Sequence, residues 1–200
     1  MSQFLKRFFS REQEQFLLNE YAAELSFRYV QFDDKMGREL TSEQLKEEVD
    51  TQYLQFLHKV GALKESKYFT LKEEIELLKA YTSLYKMACP EVFIEETYKI
   101  EAEDLKIPPL VTLSLVQNAL HYGYNTMVEF PLKIKVTNIR KRLLIDIINK
   151  VNPRLADQKN TEIIQYLESR LHNHFEENYT LIINGNSNTY RTHFSIQLEG

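Results

Sequence analysis

Residues 108–123, PPLVTLSLVQNALHYG, decide how this sequence is interpreted. Two prolines end an extended segment, and the apolar residues that follow recur at helical spacing, at Leu110, Leu113, Leu115, Val116 and Leu120. Asn118 interrupts this apolar run. A buried amide needs a hydrogen-bonding partner, which can be protein, water or a ligand. The stretch therefore predicts a core helix in which Asn118 is either satisfied by the protein or turned toward a ligand.

Composition is typical of a globular protein. Hydrophobic residues make up 43% of the 200 residues, enough for a real core in one or two domains. The net charge of −4 implies no general attraction to nucleic acid or to anionic membranes. A single cysteine, Cys89, excludes an internal disulfide and fits a reducing cytoplasm. Because no apolar run approaches the roughly 18 residues of a membrane helix, and the start lacks a signal-peptide pattern, we expect a cytoplasmic protein without a membrane segment.

Residues 1–64 are charged and carry two apolar stripes at helical spacing, over 16–29 and 45–60. The residues between them indicate a loop and a helix start, with Thr41 or Ser42 as the cap. Two helices joined by a short loop form a hairpin whose apolar faces need a partner. We predict a helical dimerisation domain over 1–64 and a second domain over 65–200.

The second domain is predicted to alternate helices and strands. Thr70 and Glu73 form a capping box that begins a helix reaching about Met87. Further helices are expected over 108–123 and 161–175, and strands over 92–100, 132–136, 142–148, 179–183 and 190–198. The last two strands form a hairpin over residues 184–186, where an Asn-Gly pair favours positive φ. The predicted class is α+β, with helices covering one face of a mixed, largely antiparallel sheet.

Two of these stretches also resemble the GHKL-type ATPase domain of LytS-like sensor histidine kinases. That family has a proline pair, an apolar run and then V-E-N-A-I-K-H-G, where residues 116–123 here read VQNALHYG. Its T-L-x-E-E-I-x-x-L-x-x-Y-x-x-L is met by residues 70–84, TLKEEIELLKAYTSL. The resemblance implies a GHKL (Bergerat-fold) sandwich and a role in two-component signal transduction. In the family the asparagine holds the magnesium of bound ATP, which implies the same position for Asn118.

Several positions depart from the ATP chemistry that the resemblance implies. The acidic residue before the asparagine is Gln117, and the adenine-binding D-N-G has become Asn149, Lys150 and Val151. The acidic acceptor is therefore missing, and a valine side chain stands where the family has a glycine beside the base.

The glycines of the family's phosphate loop fall on Thr161 and Ile163. Both are β-branched residues that resist the backbone conformations of such a loop. We interpret Asn118, Gln117, Asn149 and Gly123 as vestiges of a cofactor site, and we expect neither a catalytic residue nor a metal site. 

The phosphoacceptor motif of the family, N-P-H-F-L-F-N, has a weak counterpart in residues 26–32, SFRYVQF. The position of the phosphorylated histidine is occupied by Arg28. A guanidinium stays protonated and offers no lone pair to a phosphoryl group. We expect Arg28 to be non-functional as a phosphoacceptor.

Other candidate sites are weaker. His172 and His174 lie two residues apart on a helix, so they do not share a face and make a poor metal pair. His121 lies one turn from Asn118, and we expect a surface or capping role for it. Cys89 is expected to be a half-buried, inert thiol.

The sequence therefore favours a degenerate, histidine-kinase-like signalling protein that acts by protein–protein interaction. It is expected to need no cofactor, to dimerise through its N-terminal helices, and to pair with a kinase or a response regulator rather than with nucleic acid. One alternative is a divergent but active sensor histidine kinase that binds ATP and Mg²⁺. Another is a small-molecule sensor that uses the emptied nucleotide pocket.

Overall fold

Four helices and eight strands can be followed in the computed structural model, which describes residues 24, 27, 28, 30, 31, 33, 36–38, 47–64, 67–154 and 161–198. The helices are α1 (Glu47–Gly61), α2 (Leu71–Ala88), α3 (Val111–Tyr122) and α4 (Glu162–Phe175). The strands are β1 (Phe69–Thr70), β2 (Ile94–Ile100), β3 (Lys106–Ile107), β4 (Gly123–Tyr124), β5 (Leu132–Ile139), β6 (Arg142–Val151), β7 (Tyr179–Gly185) and β8 (Thr189–Gln197). No helix in these ranges is both long enough and apolar enough to span a membrane.

Six strands form the main sheet in the order β2-β5-β6-β8-β7, with the short β4 also paired to β6. The β2–β5 pair is parallel and the other pairs are antiparallel. Buried and more exposed residues alternate along β5 and β6, as expected for strands with one face in the core. The helices cover that inner face, and α3 packs against both α4 and β6. The predicted α+β class, with a mixed sheet covered by helices, is confirmed.

The capping box predicted at Thr70 is present at the start of α2. The Glu73 amide donates to the Thr70 hydroxyl, and the Glu73 carboxylate accepts the Thr70 amide at 2.7 Å. This reciprocal pair satisfies two of the backbone donors that a helix start leaves free. It explains why this helix could be placed accurately from the sequence.

Helix α3 is buried on all sides, because every residue from Val111 to Leu120 is inaccessible to solvent. Its position in the centre of the fold makes the polar residues Gln117 and Asn118 dependent on partners within the protein or on a ligand. Both find partners in the protein, and these partners define the candidate site described below.

The described residues before α1 belong to the same core as the sheet. Phe27, Val30 and Met36 are at most 1% exposed and form one hydrophobic cluster with residues of α2, α3 and β5. Residues 24, 27, 28, 30 and 31 are helical. The domain boundary at residue 64 stays a prediction, and the predicted caps Thr41 and Ser42 lie outside the described residues.

The prediction for the last hairpin turn is wrong in its geometry. Gly185 ends β7 with a negative φ, and no described glycine has a positive φ. The turn is formed instead by residues 186–188, where the Asn186 side-chain oxygen accepts the amides of Asn188 and Thr189, both at 2.8 Å. An asparagine side chain that binds the backbone two and three residues on makes the turn without a left-handed residue. The short pairs β1–β3 and β4–β6 were not predicted from the sequence.

Candidate functional site

The helix that carries Asn118 is fixed at its first turn by the buried carboxylate of Glu74. Leu110, the N-cap of α3, has φ 66°, a left-handed conformation that is unfavourable for a leucine. The Glu74 carboxylate accepts the Leu110 amide, the Thr112 amide and the Thr112 hydroxyl, at 2.8, 2.8 and 2.7 Å. These bonds satisfy helix-start donors that no residue of α3 can reach. Burial raises the pKa of the Glu74 carboxyl, although its hydrogen bonds to Thr112 and Leu110 and the charge of Arg170 counteract part of that effect.

Asn118 lies on the side of α3 that faces the start of α4. The Thr161 hydroxyl donates to the Asn118 side-chain oxygen at 2.6 Å, in an environment where Asn118 is 1% exposed. The same hydroxyl accepts the Ile164 amide at 3.3 Å and so caps α4. Thr161 therefore joins the asparagine of α3 to the N-terminus of α4. Ile163 at the second predicted glycine position is buried at 1% exposure.

Gly123 follows α3 and contacts two asparagine side chains. A Cβ atom on Gly123 would lie 2.5 Å from the amide nitrogen of Asn149 and 2.9 Å from that of Asn125. Asn149 is buried, and its amide nitrogen donates to the Lys150 carbonyl at 3.0 Å. Gly123 is also the pairing partner of Val151 across β4 and β6. The glycine is thus required by close packing at the end of β6, whether or not a ligand binds there.

Gln117 points away from Asn118, toward the N-terminal residues. Its side-chain nitrogen donates to the Val30 carbonyl at 3.0 Å, and the residue is 2% exposed. An ionised glutamate at this position could not donate this bond. The substitution that distinguishes this sequence from the family motif therefore has a structural role here.

His121 has a different environment from the one predicted. Its Nε2 atom lies 3.0 and 3.1 Å from the two carboxylate oxygens of Asp33, and its side chain is 16% exposed. The prediction of a surface or capping histidine is wrong, because Asp33 comes from the segment before α1, 88 residues away in the sequence. Local sequence pattern cannot reveal such a contact.

The Asp33 carboxylate is buried and also accepts the Tyr81 hydroxyl at 2.5 Å and the Met36 amide at 3.1 Å. Burial would raise the pKa of the Asp33 carboxyl, but the hydrogen bond and charge of His121, with the bonds from Tyr81 and Met36, lower it overall. Burial, the charge of Asp33 and the hydrogen bond to it raise the pKa of the Tyr81 hydroxyl well above its ordinary value. The group is therefore a carboxylate held by three donors.

Arg28 is exposed on the segment that carries these contacts. Its side chain donates to the Glu24 carboxylate at 2.9 Å and to the Gln31 side-chain oxygen at 3.1 Å. The neighbouring Phe27 is fully buried, with its ring 5.2 Å from the guanidinium of Arg170. Arg28 thus belongs to the solvent side of the segment, and no bond joins it to Asn118 or Thr161 among the contacts described.

The described residues also line a cleft of about 1020 Å³ at the C-terminal end of α4. It is formed by Tyr68, Lys106, residues 173–176, Asn178, Gln197 and Leu198. His174 lines this cleft, whereas Asn118, Gln117, Asn149 and Gly123 do not. Cys89 is buried at the C-terminal cap of α2 rather than half-buried. No cluster of three or more His, Cys, Asp or Glu side chains suited to a metal ion occurs within the described ranges.

Comparison with known proteins gives structural neighbours only. No protein-family profile matches the sequence, and no curated protein does. The histidine kinase domain of the Erythrobacter litoralis EL346 blue-light activated histidine kinase is 12% identical in sequence. The alignment covers 87% of this chain and 94% of that chain, with a TM-score of 0.48. Acinetobacter baumannii histidine kinase AdeS is 12% identical, and the alignment covers 76% of this chain and 77% of that chain with a TM-score of 0.47. The histidine kinase domain of the E. coli osmosensor EnvZ is 15% identical, and the alignment covers 70% of this chain and 93% of that chain with a TM-score of 0.47.

These neighbours are all histidine kinases. Identities of 12–15% with TM-scores below 0.5 do not place this chain in a family.

The fold brings some of the predicted site residues together and separates others. Asn118 meets Thr161, and Gly123 meets Asn149, whereas Gln117 faces Val30 on the other side of α3. Glu74, Asp33 and Tyr81 are members of buried polar clusters that the sequence pattern did not reveal. The only signal for Glu74 was an acidic residue on the apolar face of an otherwise regular amphipathic helix.

Proposed function

We propose that this protein is a degenerate, histidine-kinase-like signalling module that acts by binding other proteins rather than by transferring a phosphoryl group. The observation that carries the proposal is the 2.6 Å hydrogen bond from the Thr161 hydroxyl to the Asn118 side-chain oxygen. In the family that the sequence resembles, that asparagine holds magnesium. Here the Asn118 oxygen accepts a hydrogen bond from the Thr161 side chain, which stands at the position of a phosphate-loop glycine.

The residues around Asn118 do not fit a magnesium-bound triphosphate as they are arranged. A phosphate loop needs backbone amides that are free to wrap the phosphates, which glycine permits and β-branched residues resist. Thr161 is instead the N-cap of α4, and Ile163 in its first turn is part of the core. The Asn149 amide, at the position of the adenine-binding aspartate, is buried and donates to its neighbour's carbonyl.

Phosphorylation of the N-terminal segment is equally unsupported by its chemistry. Arg28 holds the position of the phosphorylated histidine and is tied to Glu24 and Gln31 by its own hydrogen bonds. A module of this kind can still change the activity of a true kinase or a response regulator by occupying its surface. We propose that it works in the cytoplasm, and that it forms a homodimer through its N-terminal helices. Light scattering that gives the mass of a monomer at every concentration would remove the homodimer from the proposal.

Thermal unfolding with and without Mg²⁺-ATP tests the central claim. A ligand at 100 times its dissociation constant stabilises a folded protein by about 2.7 kcal/mol, which shifts the melting temperature by several degrees. We expect no saturable shift with millimolar Mg²⁺-ATP beyond that given by Mg²⁺ with inorganic phosphate.

Asn118→Ala and Asn138→Ala provide matched variants for this experiment. Asn138 is also a buried asparagine, but it holds the Ala102 amide and the Arg140 carbonyl at the end of β5. A saturable shift in the unmodified protein that Asn118→Ala abolishes and Asn138→Ala retains would contradict the proposal and support the alternative of a divergent kinase that binds ATP and Mg²⁺. A shift that both variants retain would place the bound nucleotide away from Asn118 and would favour neither the active kinase nor a sensor that uses the emptied nucleotide pocket.

A further inference from the structure

The described residues from Phe27 to Met36, here termed the strap, contact all four helices α1 to α4. The strap residues Phe27, Val30, Gln31, Asp33 and Met36 are buried, whereas Arg28 is exposed. None of them pairs with a strand of the sheet. Its attachment to the rest of the fold therefore depends on side-chain packing and on a small set of polar contacts.

Two glutamine side chains join the strap to its neighbours by bonding to backbone carbonyls. The Gln117 side chain of α3 donates to the Val30 carbonyl at 3.0 Å. The Gln31 side chain donates in return to the Val60 carbonyl of α1 at 2.7 Å. Phe27 completes the contact by placing its ring 5.2 Å from the Arg170 guanidinium of α4. The strap is thus joined to α1, α3 and α4 by contacts that all come from outside the sheet.

Asp33 supplies the charged anchor of the strap. Tyr81 of α2 donates to one carboxylate oxygen at 2.5 Å, and His121 of α3 lies within 3.1 Å of both. The carboxylate also receives the Met36 amide, and the Asp33 carbonyl receives the Gly37 amide at 2.9 Å. A buried carboxylate is tolerated only while its donors stay in place, and removing one partner of such a group costs far more than an exposed pair contributes.

This dependence makes the anchor cooperative. If Asp33 leaves Tyr81 and His121, the strap loses its charged contact with α2 and α3, and the local turn in which the Met36 and Gly37 amides bond to Asp33 loses the packing that supports it. A segment that is held on the helices by side-chain contacts, without strand pairing, can open as a unit at a lower free energy than unfolding of the sheet. Its opening would uncover the groups that the strap contacts, namely Gln117 and His121 of α3 and Arg170 of α4.

We propose that Asp33, His121 and Tyr81 form a latch that controls whether the strap lies on the helices or opens as a local unit. Opening exposes a second surface on the helical side of the fold, distinct from the outer face of the sheet. The latch does not require nucleotide binding, so its test is independent of the proposed function.

Hydrogen–deuterium exchange of the full chain, resolved by peptide, tests the latch through the amides of Met36 and Gly37. In Asp33→Asn and in His121→Gln we expect the strap peptides to exchange at least tenfold faster, with β6 and β8 unchanged. The matched controls are Asp146→Asn and His193→Gln, since His193 Nδ1 also lies 3.0 Å from Asp146 on the outer face of the sheet. That pair is more exposed, at 24% and 35%, and its loss should leave strap exchange unaltered.

Unchanged strap exchange in both latch variants would overturn the proposal. So would an equal acceleration over β6 and β8, because the strap would then open only with the whole fold. Tyr81→Phe covers the case in which Asp33→Asn does not fold, since it removes one hydroxyl and keeps the ring in the core. It should accelerate strap exchange alone, and acceleration throughout the chain in this variant would again contradict a local latch.

Discussion

Replacing Thr161 by valine should destabilise the protein more than the loss of a helix cap explains. Valine is close in shape to threonine but has no hydroxyl, so it removes both the bond to Asn118 and the bond from the Ile164 amide. Loss of an N-cap costs about 1 kcal/mol, and loss of a buried hydrogen bond costs about 0.5–1.5 kcal/mol, or more if the partner is left unsatisfied. We expect the free energy of unfolding to fall by about 2–3 kcal/mol in Thr161→Val.

Thr70→Val is the matched control because Thr70 caps α2 with the same hydroxyl but has no bond to another helix. In urea denaturation, Thr70→Val should lower the free energy of unfolding by only about 1 kcal/mol, less than Thr161→Val does. A double-mutant cycle of Thr161→Val with Asn118→Ala should give a coupling energy of about 1 kcal/mol or more. Equal losses in the two threonine variants, together with additive effects in the cycle, would refute the claim that Thr161 satisfies Asn118.

Two further predictions concern the buried carboxylates. Glu74→Gln places an amide donor against either the Leu110 amide or the Thr112 donors. We therefore expect the free energy of unfolding, measured by urea denaturation, to fall by about 2–4 kcal/mol. A fall of less than about 1 kcal/mol would contradict the anchoring role of Glu74. Because the folded pKa of Asp33 lies below its ordinary value of 3.8, the stabilisation by the Asp33 carboxylate is complete above about pH 4 and is lost as the pH falls through the folded pKa. The difference in unfolding free energy between the unmodified protein and Asp33→Asn should therefore shrink below about pH 4, and a difference that grows toward acid would show the opposite shift.

Local signals in the sequence were sufficient for most of the secondary structure. The capping box at Thr70 and the alternation along residues 132–136 and 142–148 each depend on neighbours within a few positions, and the structure has a helix or strand at each place. The prediction of the hairpin-turn geometry failed because an Asn-Gly-Asn stretch is compatible with two different turns. Asn186 bonds to the Asn188 and Thr189 amides and makes the positive φ of Gly185 unnecessary.

The polar contacts of the candidate site could not be predicted in the same way. The partners Thr161 and Asn118 are 43 residues apart, and Asp33 and His121 are 88 residues apart. A pattern of residue types can place Asn118 on a buried helix, but it cannot say which hydroxyl or carbonyl will reach it after the helices pack. The cost of an unsatisfied buried amide predicted that a partner must exist, and only the fold identifies that partner.

The proposal of a binding module rather than an enzyme rests on Gln117 and Thr161, because each makes a bond that the residue at the corresponding position of the family motif could not make. An ionised glutamate could not donate to the Val30 carbonyl, and a glycine could not donate to Asn118. If magnesium displaced the Thr161 hydroxyl from the Asn118 oxygen, an active kinase of this sequence would lose the Thr161–Asn118 bond whenever it bound nucleotide. Breaking a buried bond of this kind costs about 1–3 kcal/mol, and that cost is subtracted from the binding free energy of the nucleotide. Since about 1.4 kcal/mol is a factor of ten in affinity, the nucleotide would bind roughly fivefold to more than a hundredfold more weakly than in an open site.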